Sequence, residues 1–168
     1  MLNSLKILPS KLGVLIWRML SLSHPYIKNT LASLLAIVVI ALDLRRIKIA
    51  KKNISLCFPK HSEQFQKKLL HETIKSSLMG FFDIGFAWWA NPKTFQSKIK
   101  YINLGHFTNA LKSNKGIILY TGHFAPLDVG ARAISLLTPT YTLYRPNEAI
   151  FLEELIIKNR NAYSSGAI

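Results

Sequence analysis

The stretch Gly-Ile-Ile-Leu-Tyr-Thr-Gly-His-Phe-Ala-Pro-Leu-Asp, residues 116–128, decides the expected fold. Its first half, residues 116–121, is short, apolar and partly β-branched, which is typical of a strand buried on both faces of a sheet. A helix is predicted over residues 126–137, because proline is tolerated in a first helical turn, and a further strand over residues 140–144. This alternation predicts an α/β fold with a partly parallel sheet flanked by helices.

Helical spacing is found on both sides of this stretch. Apolar residues recur at helical spacing over 44–57, and Ser62 with Glu63 starts another helix, which Gly80 either closes or allows to pack tightly. We expect a short strand at 99–102 and a last helix over 148–161. No strand is expected after that helix, although a parallel sheet needs one there. The polypeptide is therefore expected to be incomplete or a truncated relative of a longer protein.

The N-terminal region is predicted to be a hydrophobic helical membrane anchor over residues 1–43, followed by a second region over 44–168. Two mostly apolar stretches, 12–22 and 31–42, are each shorter than the roughly twenty residues that a membrane-spanning helix needs. A shallow or barely spanning anchor is therefore favoured. The alternatives are a signal peptide, for which no convincing cleavage site follows, and two core helices of a soluble domain.

The charge is strongly positive and uneven, with a formal net charge of +14. Residues 1–60 carry ten Lys or Arg against one Asp, whereas residues 61–168 carry twelve against seven acidic residues. Because the basic excess coincides with the most apolar sequence, an anionic membrane surface is a better partner than nucleic acid. The basic flank of the helix over 44–57 fits a membrane, an acidic partner or plain solvent exposure. Cys57, the only cysteine, is expected to be a buried apolar filler.

His123 and Asp128 form the candidate catalytic pair. They flank a predicted strand-to-helix turn, which is where α/β sheets place their active sites. A carboxylate that holds one imidazole nitrogen leaves the other free to act as a base, and Gly122 would permit a close approach. The alternative is a structural histidine beside an aspartate that stabilises the first turn of a helix.

A family resemblance strengthens the catalytic interpretation. Residues 123–128 resemble the H-x4-D/E motif of the glycerolipid and lipid A acyltransferases, and the surrounding sequence is similar to the late acyltransferases of lipid A synthesis from about residue 44 onward. The matching segments are Arg45-Arg46 leading to Asn53, Leu56-Cys57-Phe58-Pro59, Gly116-Ile-Ile-Leu, Thr121-Gly-His-Phe, Tyr144-Arg-Pro-Asn147, and a helix with Leu152, Leu155 and Arg160.

The resemblance implies transfer of a fatty acyl chain from an acyl carrier protein thioester to a hydroxyl of a lipid A precursor, at the cytoplasmic face of the inner membrane. His123 would be the general base, oriented by Asp128. Arg145 and Arg160 would bind either acceptor phosphates or the charge that develops on the thioester oxygen. We expect no cofactor, no metal and no nucleic acid, and a monomer.

Two departures from the family leave an alternative open. Ala125-Pro126 stands where many relatives carry other residues, and family members are considerably longer, so the C-terminal half of the family fold is expected to be missing. The alternative is a truncated, catalytically incomplete membrane-surface relative of such an enzyme. A nucleic-acid-binding module is the third candidate.

Overall fold

The computed structural model describes residues 2–113 and 115–167, and in these ranges the chain is mainly helical. In chain order the elements are α1 (Leu2–Leu22), α2 (Pro25–Ala41), α3 (Arg45–Cys57), α4 (Glu63–Trp89), α5 (Pro92–Lys98), α6 (Gly105–Lys112), α7 (Leu127–Ser135), β1 (Tyr141–Thr142), α8 (Ile150–Asn161) and β2 (Gly166–Ala167). The long helix α4 is central, because α1, α2, α3, α7 and α8 all contact it.

The first two helices pack on α4 through small residues. Ala32 and Ala36 of α2 are fully buried. Ser21 of α1 lies against Gly85 of α4 so closely that a β-carbon on Gly85 would be 2.1 Å from the Ser21 hydroxyl oxygen. The outer faces of α1 and α2 are apolar and exposed, with side chains such as Met19 and Val38 in solvent. Small contact residues therefore set the close approach, and the large apolar residues are left outside.

No single helix in the described ranges is both long and apolar enough to cross a bilayer. Helices α2 and α3 meet the criteria of length and composition only when taken together, and the pair is bent by 94°. The predicted spanning or shallow anchor over 1–43 is thus not confirmed.

Helix α3 is the amphipathic helix that the sequence predicts. Ile47 and Ile54 are buried against Leu70 of α4, and Lys51 on the basic flank donates to Asp43 at 2.6 Å. The prediction for Cys57 is wrong, because its side chain is exposed at the end of α3. The apolar face of this helix is already filled by the two isoleucines.

Helix α4 begins where the sequence predicts, since the Ser62 hydroxyl accepts a hydrogen bond from the Phe65 amide at 3.3 Å. It does not close at Gly80 but continues to Trp89. Gly80 permits tight packing instead: a β-carbon there would be 2.6 Å from the β-carbon of Ala125. This contact fixes the loop that precedes α7 against the middle of α4.

The expected buried strand over 116–121 is wrong. This segment is irregular and exposed, with 95% of Ile118 and 99% of Tyr120 accessible to solvent. A buried strand requires neighbouring strands on both edges, and residues 2–113 and 115–167 provide none beside this segment. Residues 99–102 are likewise not a strand.

The only sheet within the described ranges is the parallel pair β1 and β2, in which Tyr141 lies opposite Gly166. Helix α8 connects the two strands, so β1, α8 and β2 form a small parallel βαβ unit. The expectation that no strand follows α8 is therefore wrong, and the α/β fold with a partly parallel sheet holds only for this unit. The rest of the described chain is helical.

Candidate active site

Asp128 lies in the first turn of α7, and its side chain is buried. The hydrophobic cluster of Ala87, Ala90, Phe95 and Ala133 fixes α7 against α4. Within this contact the Arg132 guanidinium donates to the Ala87 carbonyl at 2.7 Å and stacks over the Phe95 ring at 4.3 Å. The first turn of α7 is therefore held firmly beside the C-terminal end of α4.

Three side chains donate hydrogen bonds to the Asp128 carboxylate. Arg160 approaches in a bidentate manner, with Nε 2.8 Å from Oδ1 and Nη2 3.1 Å from Oδ2. The Tyr163 hydroxyl donates to Oδ1 at 2.9 Å, and the Trp88 indole Nε1 donates to Oδ1 at 3.1 Å. We call Trp88, Asp128, Arg160 and Tyr163 the carboxylate cluster.

The donors of the carboxylate cluster come from distant parts of the sequence. Trp88 lies in the last turn of α4, whereas Arg160 lies in the last turn of α8 with Tyr163 just beyond it. The spacing of three residues between Arg160 and Tyr163 places both on one side of the helix end. Sequence reasoning singled out Asp128 and Arg160 and assigned neither Trp88 nor Tyr163 to the site. That spacing was the one local signal for Tyr163.

The cluster holds Asp128 as an anion. Burial alone would raise the pKa of its carboxyl, but hydrogen bonds from Arg160 and Trp88, the charge of Arg160 and the Tyr163 hydroxyl together outweigh burial and hold the pKa below its ordinary value. The hydrogen bond to Asp128 raises the pKa of Arg160. Burial and the neighbouring carboxylate raise the pKa of Tyr163, which stays neutral. The result is a fixed negative charge paired with a fixed positive charge.

The segment Tyr144-Arg-Pro-Asn147 is tied to α8 beside this cluster. The Tyr144 hydroxyl and the backbone amide of Asn147 both donate to the Glu153 carboxylate. The Arg160 guanidinium lies 5.8 Å from the centre of the Tyr144 ring. Arg145 has an exposed side chain. The two predicted arginines therefore differ, because Arg160 is engaged by Asp128, whereas Arg145 is exposed and forms no ion pair with the described residues.

His123 lies on the exposed loop before α7. In the described part of the chain it forms no hydrogen bond or ion pair with Asp128, whose hydrogen-bond donors are Trp88, Arg160 and Tyr163. Gly122 lies next to His123, and its carbonyl accepts from the Phe124 amide at 3.0 Å. A β-carbon on Gly122 would be 2.9 Å from the Phe124 ring. The Phe124 ring therefore packs against Gly122, and the His123 imidazole is exposed to solvent.

The arrangement offers acid–base and anion-binding chemistry. Its parts are the buried, anionic carboxylate of Asp128, the exposed imidazole of His123 and the exposed guanidinium of Arg145. Residues 2–113 and 115–167 contain no group of three or more His, Cys, Asp or Glu side chains that could hold a metal ion.

Comparison with known proteins gives consistent matches. The family model described as bacterial lipid A biosynthesis acyltransferase matches residues 2–166. A lipid A biosynthesis lauroyltransferase of Escherichia coli K12 is 32% identical over 82% of this chain and 44% of its own length. A lipid A biosynthesis acyltransferase of Haemophilus influenzae is 35% identical over 89% of this chain and 48% of its own length. A lipid A biosynthesis palmitoleoyltransferase of E. coli K12 is 30% identical over 69% of this chain and 38% of its own length.

The chain spans less than half of the length of these curated relatives. No solved structure matches it significantly. The family match extends over nearly the whole chain and includes both His123 and the carboxylate cluster. This chain therefore belongs to the bacterial lipid A biosynthesis acyltransferase family.

Proposed function

We propose that the protein is an O-acyltransferase that moves a fatty acyl chain from an acyl carrier protein thioester to a hydroxyl of a lipid A precursor. The observation that carries the proposal is the buried, anionic Asp128 five residues after an exposed histidine, in a chain of this family. The relatives are named for transfer of lauroyl and palmitoleoyl groups in lipid A biosynthesis. Their names support the reaction class, and the acyl chain length is left open.

In the proposed reaction His123 takes the proton from the acceptor hydroxyl as its oxygen attacks the thioester carbonyl. A carbon–oxygen bond forms, the carbon–sulfur bond breaks, and the proton passes to the departing thiolate. An alcohol is a poor nucleophile at neutral pH until a positioned base removes its proton. The Asp128 carboxylate would stabilise the imidazolium that forms in this step.

The proposal requires the His123 imidazole to meet Asp128 when substrate is bound. The loop is held on α4 at Ala125, only two residues from His123. Because Ala125 is packed against α4, the His123 backbone can move only a short distance from the first turn of α7. Catalytic hydrogen bonds are often formed only in the complex with substrate. The exposed position of the ring is thus compatible with a pair that forms on binding.

The two arginines are proposed to act differently. Arg160 donates from both Nε and Nη2 to the Asp128 carboxylate, so it positions that carboxylate and keeps it charged. Arg145 is exposed, and its guanidinium is free to bind an acceptor phosphate or the developing negative charge on the thioester oxygen. These two roles for Arg145 remain alternatives.

The proposed acceptor is an anionic lipid. We therefore propose that the protein acts at the cytoplasmic surface of the inner membrane. The protein is proposed to act as a monomer. Exposed apolar faces on α1 and α2, combined with a net charge of +14, support contact with an anionic lipid surface. An acidic carrier protein would also be attracted to such a basic surface.

The test is an acyl-transfer assay in nonionic micelles with acyl carrier protein thioester and a lipid A precursor. His123→Ala should lower the rate about 10² to 10⁴-fold, because this is the usual contribution of a general base. His106→Ala is the matched control, since His106 is also exposed but lies on α6, outside the motif. If the two variants lose activity equally, or His123→Ala keeps a rate within a few fold of the parent, His123 is not the base.

A second candidate is a catalytically incomplete membrane-surface relative. The irregular, exposed segment over 116–121 and the open position of His123 favour it. This candidate predicts that the chain binds anionic vesicles and transfers no acyl group under the conditions above. Any transfer that depends on His123 would rule it out.

A further inference from the structure

Helix α4 contacts the candidate catalytic motif at two separate points. At Gly80 it meets Ala125, two residues after His123, and at Trp88 it donates the indole hydrogen bond to Asp128. The two contact points are eight residues apart, which is about 12 Å along a helix axis. One helix therefore contacts both the loop that carries the histidine and the carboxylate.

The contact at Gly80 depends on the absence of a side chain. A β-carbon there would be 2.6 Å from the β-carbon of Ala125, but 3.4 Å from its carbonyl carbon and 3.5 Å from its α-carbon. The Ala125 methyl group is thus the one atom of this residue that a side chain at position 80 would meet too closely. Because non-bonded carbons prefer separations of about 3.5 to 4.0 Å, the two β-carbons would have to move apart by about 1 Å.

The loop, and not the helix, is the part that would move. Helix α4 is 27 residues long, and α1, α2 and α3 pack on it. Ala125 is exposed on its other side, so the loop can shift outward. In the described ranges the hydrogen bonds of residues 121–125 stay within the loop, as from the Phe124 amide to the Gly122 carbonyl. The contact with Gly80 therefore determines how near this loop lies to α4.

We propose that Gly80 is a positioning residue for the pair of His123 and Asp128. By leaving space for the Ala125 methyl group, it sets the distance that the imidazole must cover to reach the carboxylate. The inference rests on the proposed function, because it assigns a residue of α4 to that same site. If Gly80 served helix packing alone, its substitution would lower stability and leave the rate of the folded protein unchanged.

The test compares Gly80→Ala with the double variant Gly80→Ala/Ala125→Gly in the acyl-transfer assay. Gly80→Ala should lower kcat about 10- to 100-fold at nearly constant KM, because a displacement of about 1 Å can cost a reacting group this much. The double variant should recover most of the loss, since it removes the methyl group that the new side chain meets. Ala125→Gly alone is the reference for the added flexibility of the loop.

Ile47→Val is the matched control for lost stability. Ile47 is buried in the contact between α3 and α4, away from the loop, so the variant should unfold at a lower temperature and keep the kcat of the parent. Circular dichroism confirms that each variant keeps its helical content. A folded Gly80→Ala with kcat within a few fold of the parent, or a loss that the double variant does not recover, would overturn the inference and leave the proposed function standing.

Two further results separate this inference from the proposed function. If the parent transfers no acyl group, or His123→Ala leaves its rate unchanged, the proposed function fails and the inference falls with it. The second measurement needs only the parent, so it serves even if Gly80→Ala does not fold. A nuclear Overhauser effect should join the Ala125 methyl protons to the Gly80 α-protons, and its absence would overturn the positioning role without any assay of activity.

Discussion

At position 128 a single carboxylate joins three segments that are far apart in the sequence. It accepts hydrogen bonds from α4 through Trp88 and from the end of α8 through Arg160 and Tyr163. Because the carboxyl group is buried, each donor replaces a hydrogen bond that water would otherwise make. The same residue that the motif marks for catalysis therefore also ties the βαβ unit to the helical part of the chain.

Asp128→Asn should destabilise the fold strongly. The substitution removes the partner of a largely buried guanidinium and places an amide N–H₂ among donors, which costs about 3 kcal/mol or more. Trp88→Phe and Tyr163→Phe each remove one donor and should cost about 1 kcal/mol. Urea unfolding followed by circular dichroism measures these changes.

Lys67→Gln is the control for a surface ion pair, because the pair that it forms with Glu63 is exposed. It should leave the free energy of unfolding unchanged within error. An Asp128→Asn effect no larger than that of the control would contradict a structural role for the carboxylate cluster.

At the level of elements, close helix packing depends on residues without bulk. Gly85 lies where α1 crosses α4, and a β-carbon there would be 2.7 Å from the β-carbon of Ser21 and 2.9 Å from the Trp89 ring. The hydroxyl of Ser21 is buried and has no hydrogen-bond partner among the described residues. The crossing therefore tolerates an unsatisfied hydroxyl but not an additional methyl group.

Gly85→Ala should destabilise the fold by about 1 to 3 kcal/mol, the usual cost of overpacking. Adding Ser21→Gly should recover part of the loss, because it removes two of the three atoms that the new methyl group meets and leaves only the Trp89 ring. Thermal unfolding of the two single variants and the double variant measures the coupling.

Gly130→Ala serves as the control, since Gly130 is in α7 and a β-carbon there meets nothing within 4 Å. It should be neutral or stabilising by up to about 1 kcal/mol. A Gly85→Ala effect indistinguishable from that of Gly130→Ala would contradict the crossing described here.

The helices were predictable from local sequence, whereas only one strand of the sheet was: β1 at Tyr141–Thr142 lies within the expected strand over 140–144. Helix α7 was expected over 126–137 and lies at Leu127–Ser135, and α8 was expected over 148–161 and lies at Ile150–Asn161. Periodicity and first-turn residues specify such helices locally. A strand depends on partners elsewhere in the chain, so the apolar pattern of 116–121 was misleading and the two-residue strand β2 was missed.

The candidate site was only half predictable for a similar reason. The motif identifies His123 and Asp128, because both lie within six consecutive residues. The donors to Asp128 come from 32 to 40 residues away, so no local spacing reveals them. Arg145 and Arg160 look equivalent in sequence, and only the tertiary contacts show that Arg160 is already engaged.

For the whole molecule, the carboxylate cluster predicts how stability depends on pH. The pKa of Asp128 is lower in the folded chain than its ordinary value of 3.8, so its contribution is complete above that value and is lost as the pH falls through the folded pKa. The pKa of Tyr163 is raised from 10.0, so its contribution is complete below that value and is lost as the pH rises through the folded pKa.

The urea midpoint should therefore be nearly constant between about pH 5 and 9 and fall on both sides. Asp128→Asn should flatten the acidic side, and Tyr163→Phe the alkaline side. The comparison with each variant separates these groups from the repulsion of a chain with net charge +14. If the urea midpoint of Asp128→Asn falls as steeply at acidic pH as that of the parent, groups other than Asp128 cause the fall.

The two oxygens of Asp128 are unequally occupied, since Oδ1 receives three hydrogen bonds and Oδ2 receives one. A carboxylate oxygen has two lone pairs, so Oδ1 is saturated and Oδ2 retains an unused lone pair. An incoming ring N–H can then be received at a single atom and from a single direction. In the proposed pair with His123, Oδ2 would therefore be the only atom open to the ring N–H, and its free lone pair would select the histidine tautomer before substrate arrives.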